Sequence, residues 1–148
     1  MANMHRASWQ CAVVLAACAI VPDGHGVAEA QEDKKPSLSL KATPPVGFSP
    51  LRVRLVVDVR GGADDYDEFY CPGIEWVWGD GTESESSEDC QPYQAGVSAI
   101  KRRFSAEHVF RQAGNYRVFF RLKQKDKIVS AASANVQVRA GVRDDFGN

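Results

Sequence analysis

The stretch "IEWVWGDGTES" at residues 74–84 decides how this chain folds. It begins with alternating apolar side chains, Ile74, Trp76 and Trp78, and continues into Gly-Asp-Gly-Thr at residues 79–82. Such alternation is typical of a strand with one buried face. Glycine adopts the positive φ of a tight turn, and an aspartate side chain accepts backbone hydrogen bonds two residues along. The stretch therefore predicts a β-strand that ends in a turn closed by Asp80, rather than a catalytic or metal-binding loop.

The same period of two recurs on both sides of this stretch. Residues 51–60 alternate over their whole length, and residues 116–122 repeat the pattern. Weaker alternation covers residues 38–42, residues 100–110 with a bend at Ser105, and residues 128–139. Since no segment has a persuasive helical period, the chain is predicted to be an all-β sandwich over residues 38–139.

Two segments between these strands are predicted to be connections. Residues 42–50, "ATPPVGFSP", are rich in proline and glycine, and residues 123–127, "KQKDK", form a charged hairpin turn. Both compositions are typical of turns and loops.

The N-terminal residues are predicted to be an export signal. Residues 11–21, "CAVVLAACAIV", are uninterrupted apolar residues, too few for the roughly 20 that span a bilayer. The small residues of "AEA" at 28–30 predict a signal peptide over residues 1–30 with cleavage before Gln31. Residues 31–37 are then a flexible lead-in and residues 140–148 a polar tail. A competing interpretation takes "LAAC" at 15–18 as a lipobox, in which Cys18 is lipidated and holds the protein at a membrane; both interpretations predict export.

Export changes the interpretation of the cysteines. Without the leader, only Cys71 and Cys90 remain. A cysteine pair in an oxidising compartment predicts a disulfide, which here closes a loop of about 20 residues. A metal site is the alternative, but this pair lacks zinc-ligand spacing.

Charge is balanced overall and uneven along the chain. The formal net charge is -1, which, together with export, predicts no binding to nucleic acid. Residues 64–89 contain only acidic charged side chains, and residues 101–127 contain mostly basic ones. This distribution indicates either solvated surfaces or a dipolar module that docks a charged partner.

One histidine, His108, follows the leader and raises the question of catalysis. A triad of His108, Asp80 and a serine is conceivable, but a nucleophile needs a base within about 3 Å, and no nucleophile-elbow motif occurs. The favoured interpretation is a histidine that packs on the turn and hydrogen-bonds to Asp80 or to the backbone.

The segment before residue 74 contains two candidate binding groups. Four acidic side chains could offer oxygen ligands to calcium, although the EF-hand pattern is absent: Asp64, Asp65, Asp67 and Glu68. Four aromatic side chains could stack on sugars or anchor a protein partner if exposed, or form a satellite core if buried: Tyr66, Phe69, Tyr70 and Tyr93.

Several motifs in order resemble the PKD (polycystic kidney disease) domain family. "WVWGDGTES" is similar to the family's Trp-Asp-Phe-Gly-Asp-Gly signature, preceded by "LKATPPVGFSPLRVRLVVD" and followed by "HVFRQAGNYRVFFRL". The resemblance implies an Ig-like β-sandwich of about seven antiparallel strands. It makes Trp76 a core residue, Gly79, Asp80 and Gly81 the turn, and His108 part of the segment packed against that turn.

The chain departs from the family pattern in a few places. Val77 stands where the family often has aspartate, Phe110 replaces a tyrosine, and Ala113 replaces a common proline. Residues 61–72 and the Cys71/Cys90 pair are additions to the pattern.

The resemblance also carries expectations about function. It implies an exported, non-catalytic module without a cofactor, which binds an extracellular protein or a polysaccharide. The alternatives are a structural envelope lipoprotein subunit and a calcium-binding accessory domain of an extracellular enzyme system.

Overall fold

The computed structural model describes residues 35–141; the predicted signal peptide, Cys18 and most of the predicted polar tail lie outside these residues. The described chain contains eight strands: β1 (Ser37–Thr43), β2 (Val46–Phe48), β3 (Leu51–Arg60), β4 (Gly73–Val77), β5 (Glu83–Ser86), β6 (Arg103–Phe110), β7 (Gly114–Gln124) and β8 (Lys127–Arg139). A single-turn 3-10 helix, Asp67–Phe69, lies between β3 and β4. Within the described residues, no helix is long and apolar enough to cross a membrane.

The strands form two sheets that pack face to face. One sheet has three strands in the order β1-β3-β6, and the other has five in the order β2-β8-β7-β4-β5. Strands β1 and β3 thus share a sheet with β6, while β4 joins the second sheet by pairing with β7 of the β7–β8 hairpin. This distribution of consecutive strands over two sheets is that of an Ig-like sandwich. The predicted fold class is therefore confirmed.

Alternation along the strands produces the core, as period-two arguments predict. In β3, Val53, Leu55 and Val57 have no exposed surface, while their neighbours face outward. In β7, Val118, Phe120 and Leu122 are equally buried. Each fully buried aliphatic or aromatic side chain contributes roughly 1.5–3 kcal/mol to the free energy of folding, so these two strands carry much of the stability.

The number and direction of the strands differ from the prediction of about seven antiparallel strands. The connection at residues 42–50 contains β2, which runs parallel to β8 and pairs Val46 with Gln137. This strand of three residues was not predicted, because prolines stand on both sides of it and Gly47 lies within it. It lies at a sheet edge, where prolines are tolerated. Strand β5 reads "ESES" and has no apolar residue to reveal it.

Strand β6 also differs from the prediction, because the bend expected at Ser105 is absent. The strand is continuous, and it pairs with β3 without a break from Leu51–Phe110 to Asp58–Arg103. The predicted hairpin turn between β7 and β8 is present at Lys125 and Asp126. A register shift beside it leaves Ile128 48% exposed and turns Val129 inward.

Candidate functional site

The turn after β4 is closed by its own aspartate. One carboxylate oxygen of Asp80, Oδ1, accepts hydrogen bonds from Thr82 N–H at 3.0 Å and from Thr82 Oγ1 at 2.6 Å. The N–H of Trp78 donates to Thr82 C=O at 3.0 Å. Gly79 and Gly81 have φ angles of 82° and 88°, which disfavour any residue with a Cβ atom. A Cβ atom on Gly79 would also lie 2.7 Å from the carbonyl oxygen of Arg117, so the turn and β7 approach closely.

The second carboxylate oxygen of Asp80 joins the turn to β6. Oδ2 lies 2.7 Å from His108 Nε2, and the two side chains are 21% and 19% exposed. Burial alone raises the pKa of Asp80, but the hydrogen bonds from Thr82 and His108 outweigh it and hold that pKa below its usual range. The carboxylate is therefore charged at neutral pH, and all of its bonds connect parts of the fold.

Aromatic packing immobilises the His108 ring. The ring stacks on Trp78 with centroids 4.4 Å apart and an interplanar angle of 6°, and it meets Phe110 edge-on at 4.8 Å. Among residues 35–141 no serine hydrogen-bonds to His108, so the described residues provide no nucleophile beside this base. A depression of about 330 Å³ lies outside the turn and is lined by Asp80, His108 and Arg111 among others.

At the opposite end of the sandwich, residues 61–72 and 87–102 form an irregular cap. The predicted disulfide is present: Cys71 and Cys90 are joined, with their Cα atoms 6.1 Å apart. It ties the start of β4 to the segment that follows β5. Tyr70 strengthens this connection, because its hydroxyl donates to Gln91 C=O at 2.9 Å.

Arg102 is the central residue of the cap. Its guanidinium donates to the carbonyl oxygens of Gly61, Gly62 and Ala63 at 2.6 Å, 3.2 Å and 3.2 Å. It also contacts Asp64 Oδ1 at 2.6 Å through Nη2. Because a planar guanidinium offers several donors in a fixed arrangement, one side chain satisfies consecutive carbonyls of an irregular segment. The sequence alone offered no signal for this role.

The four aromatic side chains of the cap do not form an exposed platform. Phe69 is 1% exposed and belongs to the core, and Tyr66 and Tyr70 pack against that core. Tyr93 donates its hydroxyl to Asp65 C=O at 2.6 Å. Burial, Asp65 and Asp67 raise the pKa of Tyr93, so this hydroxyl keeps its proton. Of the two interpretations, the satellite core fits this packing.

The acidic side chains of the cap are largely engaged with protein groups. Asp64 contacts Arg102, and Asp65 Oδ2 accepts from Gly96 N–H at 2.7 Å. The Lys35 ammonium bonds to Glu68 at 2.9 Å and lowers the pKa of that carboxyl. Within residues 35–141, no three His, Cys, Asp or Glu side chains come together as metal ligands. The calcium alternative gains no support from this arrangement.

The outer face of the five-stranded sheet contains an ion-pair network around Glu75. Glu75 is only 8% exposed, although it points away from the core. It accepts from Arg121 at 2.7 Å and from Lys123 at 3.4 Å, and Lys123 also contacts Glu85 at 2.7 Å. The hydrogen bond from Arg121 lowers the pKa of Glu75 despite its burial. The alternating sequence pattern places Glu75 on the outward side of a strand and gives no sign that it is buried. The network was therefore not predicted.

The outer face of the three-stranded sheet has a basic excess, and we call it the basic face. Strands β1, β3 and β6 direct five Lys or Arg side chains and two acidic ones outward: Lys41, Arg52, Arg54, Arg60 and Arg103 against Asp58 and Glu107. Two of these cations form long, exposed ion pairs, Arg52–Glu107 at 3.4 Å and Arg103–Asp58 at 3.5 Å. Lys41, Arg54 and Arg60 make no side-chain hydrogen bond or ion pair with another described residue.

Comparison with known proteins gives a likeness in structure and none in sequence. No family model and no curated protein matches the chain. The PKD domain of an M14-like peptidase from a Thermoplasmatales archaeon is 13% identical, with a TM-score of 0.45 over 70% of this chain and 96% of that one. A CARDB domain from Pyrococcus furiosus, solved in complex with di-metal ions, is 14% identical, with a TM-score of 0.44 over 71% and 88%. A superoxide reductase (neelaredoxin) from Ignicoccus hospitalis is 11% identical, with a TM-score of 0.43 over 75% and 86%.

These likenesses are too distant to transfer a site or an activity. The strand order of the two sheets is the basis of the Ig-like assignment. The Gly-Asp-Gly residues of the PKD-like motif form the turn after β4, and Asp80 of this turn contacts His108.

Proposed function

We propose that this chain is an exported, non-catalytic Ig-like module whose basic face binds an acidic polysaccharide outside the cytoplasm. The observation that carries the proposal is that Lys41, Arg54 and Arg60 on that face have no ion pair with another described residue, in a chain whose formal net charge is -1. On the opposite outer face Arg121 and Lys123 pair with Glu75 and Glu85, so the attraction for an anion is stronger on the basic face.

A non-catalytic role is favoured by the bonds of Asp80 and His108. The Asp80 carboxylate is shared between Thr82 and His108, and the imidazole is stacked on Trp78. A catalytic dyad needs an adjacent nucleophile and a place for a reacting atom, and the described groups around His108 offer packing partners instead.

Export is supported by two independent features. The disulfide between Cys71 and Cys90 is of the kind that persists in oxidising compartments. The apolar run at residues 11–21, followed by small residues at 28–30, has the pattern of a secretory signal. The intact mass of the mature protein distinguishes cleavage before Gln31 from lipidation at Cys18.

The chemistry of the basic face favours a linear polyanion over a protein partner. Protein interfaces are anchored by buried aromatic and apolar side chains, whereas Val56 and Val109 are the apolar side chains that this face directs outward. Successive outward residues of a strand lie roughly 6.6 Å apart, so Arg52 and Arg54 form a row along β3. A row of exposed cations on a flat sheet matches a chain of repeating carboxylates.

Binding to polygalacturonate and to neutral dextran, measured by calorimetry at several salt concentrations, tests the proposal. We expect salt-sensitive binding to the acidic polymer and none to dextran. Lys41→Glu combined with Arg54→Glu should weaken binding about tenfold or more, since each cation near an anionic surface contributes roughly 1 kcal/mol. Lys125→Glu, a single reversal in the β7–β8 turn, is the control for net charge and is compared with Arg54→Glu alone, which changes the net charge by the same amount.

Two results would overturn the assignment. Equal losses from Lys125→Glu and from the changes on the basic face would mean that only net charge matters. Capture of an acidic envelope protein, without affinity for any acidic polymer, would replace the polysaccharide by a protein partner.

A further inference from the structure

Strand β6 has one edge without a hydrogen-bonding partner among the described residues. It is the last strand of the three-stranded sheet and pairs only with β3. Of the other edge strands, β1 has seven residues and lies against β8, while β2 has three residues and β5 four, whereas β6 has eight residues. Open edges of this length are templates for pairing with another strand.

The backbone groups on this edge can be assigned. Val59 N–H donates to Arg102 C=O at 2.9 Å, which makes this a hydrogen-bonded pair of the antiparallel ladder. Because such pairs alternate along a ladder, the even-numbered residues of β6 bond to β3. Arg103, Ser105 and Glu107 therefore direct their N–H and C=O groups to the open edge, and all three residues are exposed.

We propose that two copies of this chain pair through the open edges of β6, antiparallel and centred on Ser105, to form a continuous six-stranded sheet. In this register Arg103 lies opposite Glu107 of the second copy, and Glu107 lies opposite its Arg103. On the inner side Phe104 lies opposite Ala106, a large side chain beside a small one. Each hydrogen-bonded residue pair exchanges two backbone bonds.

The charges select this register over its neighbours. Side chains of a strand alternate between the two faces of the sheet. An alternative register must keep the outward side chains of both copies on the same face, and the nearest such registers have their centre one residue away from Ser105. A centre at Arg103 or at Glu107 places like charges directly opposite each other, and a centre at Ala106 places Val109 opposite Arg103 and Ser105 opposite Glu107. A centre at Phe104 places Ser105 opposite Arg103, and it places Lys101, which lies before β6 and is paired with Glu88, opposite Glu107. Among these, the Ser105 centre is the register in which both Arg103 and Glu107 meet an opposite charge within β6.

The contacts that Arg103 and Glu107 already make leave both side chains available for pairing with a second copy. Arg103 is 71% exposed and lies 3.5 Å from Asp58, and Glu107 is 52% exposed and lies 3.4 Å from Arg52. Exposed ion pairs of this length contribute little to stability, so the side chains can turn toward a second copy at small cost.

The symmetry of the pair has a consequence for binding. A two-fold axis through Ser105, perpendicular to the sheet, places both basic faces on the same side of the dimer. The dimer goes beyond the proposed function and does not depend on it, but it would double the cationic surface and increase the avidity for a long polymer.

Sedimentation velocity of the purified protein over a concentration series tests this dimer. We expect a weak dimer that is populated at several hundred micromolar and dissociated near 1 μM, roughly the range of small interfaces. Arg103→Glu or Glu107→Arg alone places like charges opposite each other and should weaken dimerisation about tenfold. The double variant Arg103→Glu/Glu107→Arg restores opposite charges and should recover the dimer.

Circular dichroism of each variant shows that the monomer is folded, and Lys125→Glu controls for charge away from the edge. A monomer at every concentration overturns the proposal, and so does a dimer that responds equally to the single and double variants. Because polymer binding is measured with Lys41 and Arg54 variants, failure of the dimer is distinguishable from failure of the proposed function.

Discussion

The two ends of the sandwich are held together by different means. At the turn end, Trp78, Asp80 and Thr82 bond to one another within five consecutive residues, and His108 adds one contact from β6. At the cap end, residues 61–72 and 87–102 are joined by a disulfide across 19 residues and by Arg102 across about 40. Bonds between neighbouring residues hold the turn end, and bonds between residues that are distant in sequence hold the cap end.

This difference explains why a short motif describes one end and not the other. A turn made from neighbouring residues costs little loop-closure entropy, so glycine and aspartate at the right positions are sufficient. The cap has to order long irregular segments, and each of its stabilising groups depends on a partner that is distant in sequence. Substitutions at the two ends should therefore differ in how much they lower the free energy of unfolding and in how far along the chain their effects extend.

The largest effect is expected from Gly79→Ala at the turn end. The new Cβ would meet the Arg117 carbonyl oxygen at 2.7 Å, and the residue would be held at a φ of 82°. Steric overlap and left-handed strain together should lower the free energy of unfolding by about 4 kcal/mol. Urea denaturation measures this loss.

Gly81→Ala is the matched control for that change. Its φ is 88°, but nothing lies within 4 Å of the added Cβ. It should lose only the conformational part, about 1–2 kcal/mol. Equal losses from the two variants would refute close packing of the turn on β7.

Removal of the disulfide should have the next largest effect, at the cap end. Cys71→Ala/Cys90→Ala releases a loop of about 20 residues and should lower the free energy of unfolding by about 3 kcal/mol. Hydrogen exchange should increase in the cap and remain unchanged around Asp80. Equal loss of protection at both ends would contradict the separation of the two regions.

A smaller effect is expected from Arg102→Lys, which keeps the charge and removes the fork of donors. The carbonyls of Gly61, Gly62 and Ala63 lose their partner, at a cost of about 2 kcal/mol. Arg60→Ala, at an exposed arginine without an ion pair among the described residues, should change stability by less than about 0.5 kcal/mol. Thermal denaturation measures the loss of stability in both variants. Similar decreases in melting temperature would show that Arg102 is not the central residue of the cap.

The smallest effect is expected from Asp80→Asn, which keeps an acceptor for Thr82 and removes the charge beside His108. The loss at neutral pH should be about 1 kcal/mol. The pKa of Asp80 in the folded protein lies below its ordinary value of 3.8, so the folded state binds fewer protons than the unfolded state near that pH. The stability that the carboxylate contributes is complete above about pH 5 and is lost as pH falls through the folded-state pKa.

The comparison of wild type with Asp80→Asn therefore has a defined pH dependence. The difference in unfolding free energy should narrow as the pH falls from about 5 to about 2. A difference that is constant over this window would show that the Asp80 charge does not stabilise the turn end.

The core strands were predictable, and the surfaces that we propose for binding were only partly so. Alternation identified the buried faces of β3 and β7, because burial on one side leaves a period of two. It missed β5 and the buried Glu75, because a polar strand and an ion pair leave no apolar pattern. The basic face was hidden for another reason: its cations come from β1, β3 and β6, which are distant in sequence and are brought together by strand pairing.

By itself the sequence determined the all-β sandwich, the turn at residues 79–82 and the pairing of two cysteines, since each depends on local periodicity, on φ preferences or on counting. Tertiary structure decided that His108 bonds to Asp80 rather than to the backbone, that Arg102 organises the cap, and that five cations come together on one sheet face. The physical reason is that backbone preferences act between neighbours, whereas hydrogen-bond satisfaction and charge balance act between groups that only the folded chain brings into contact.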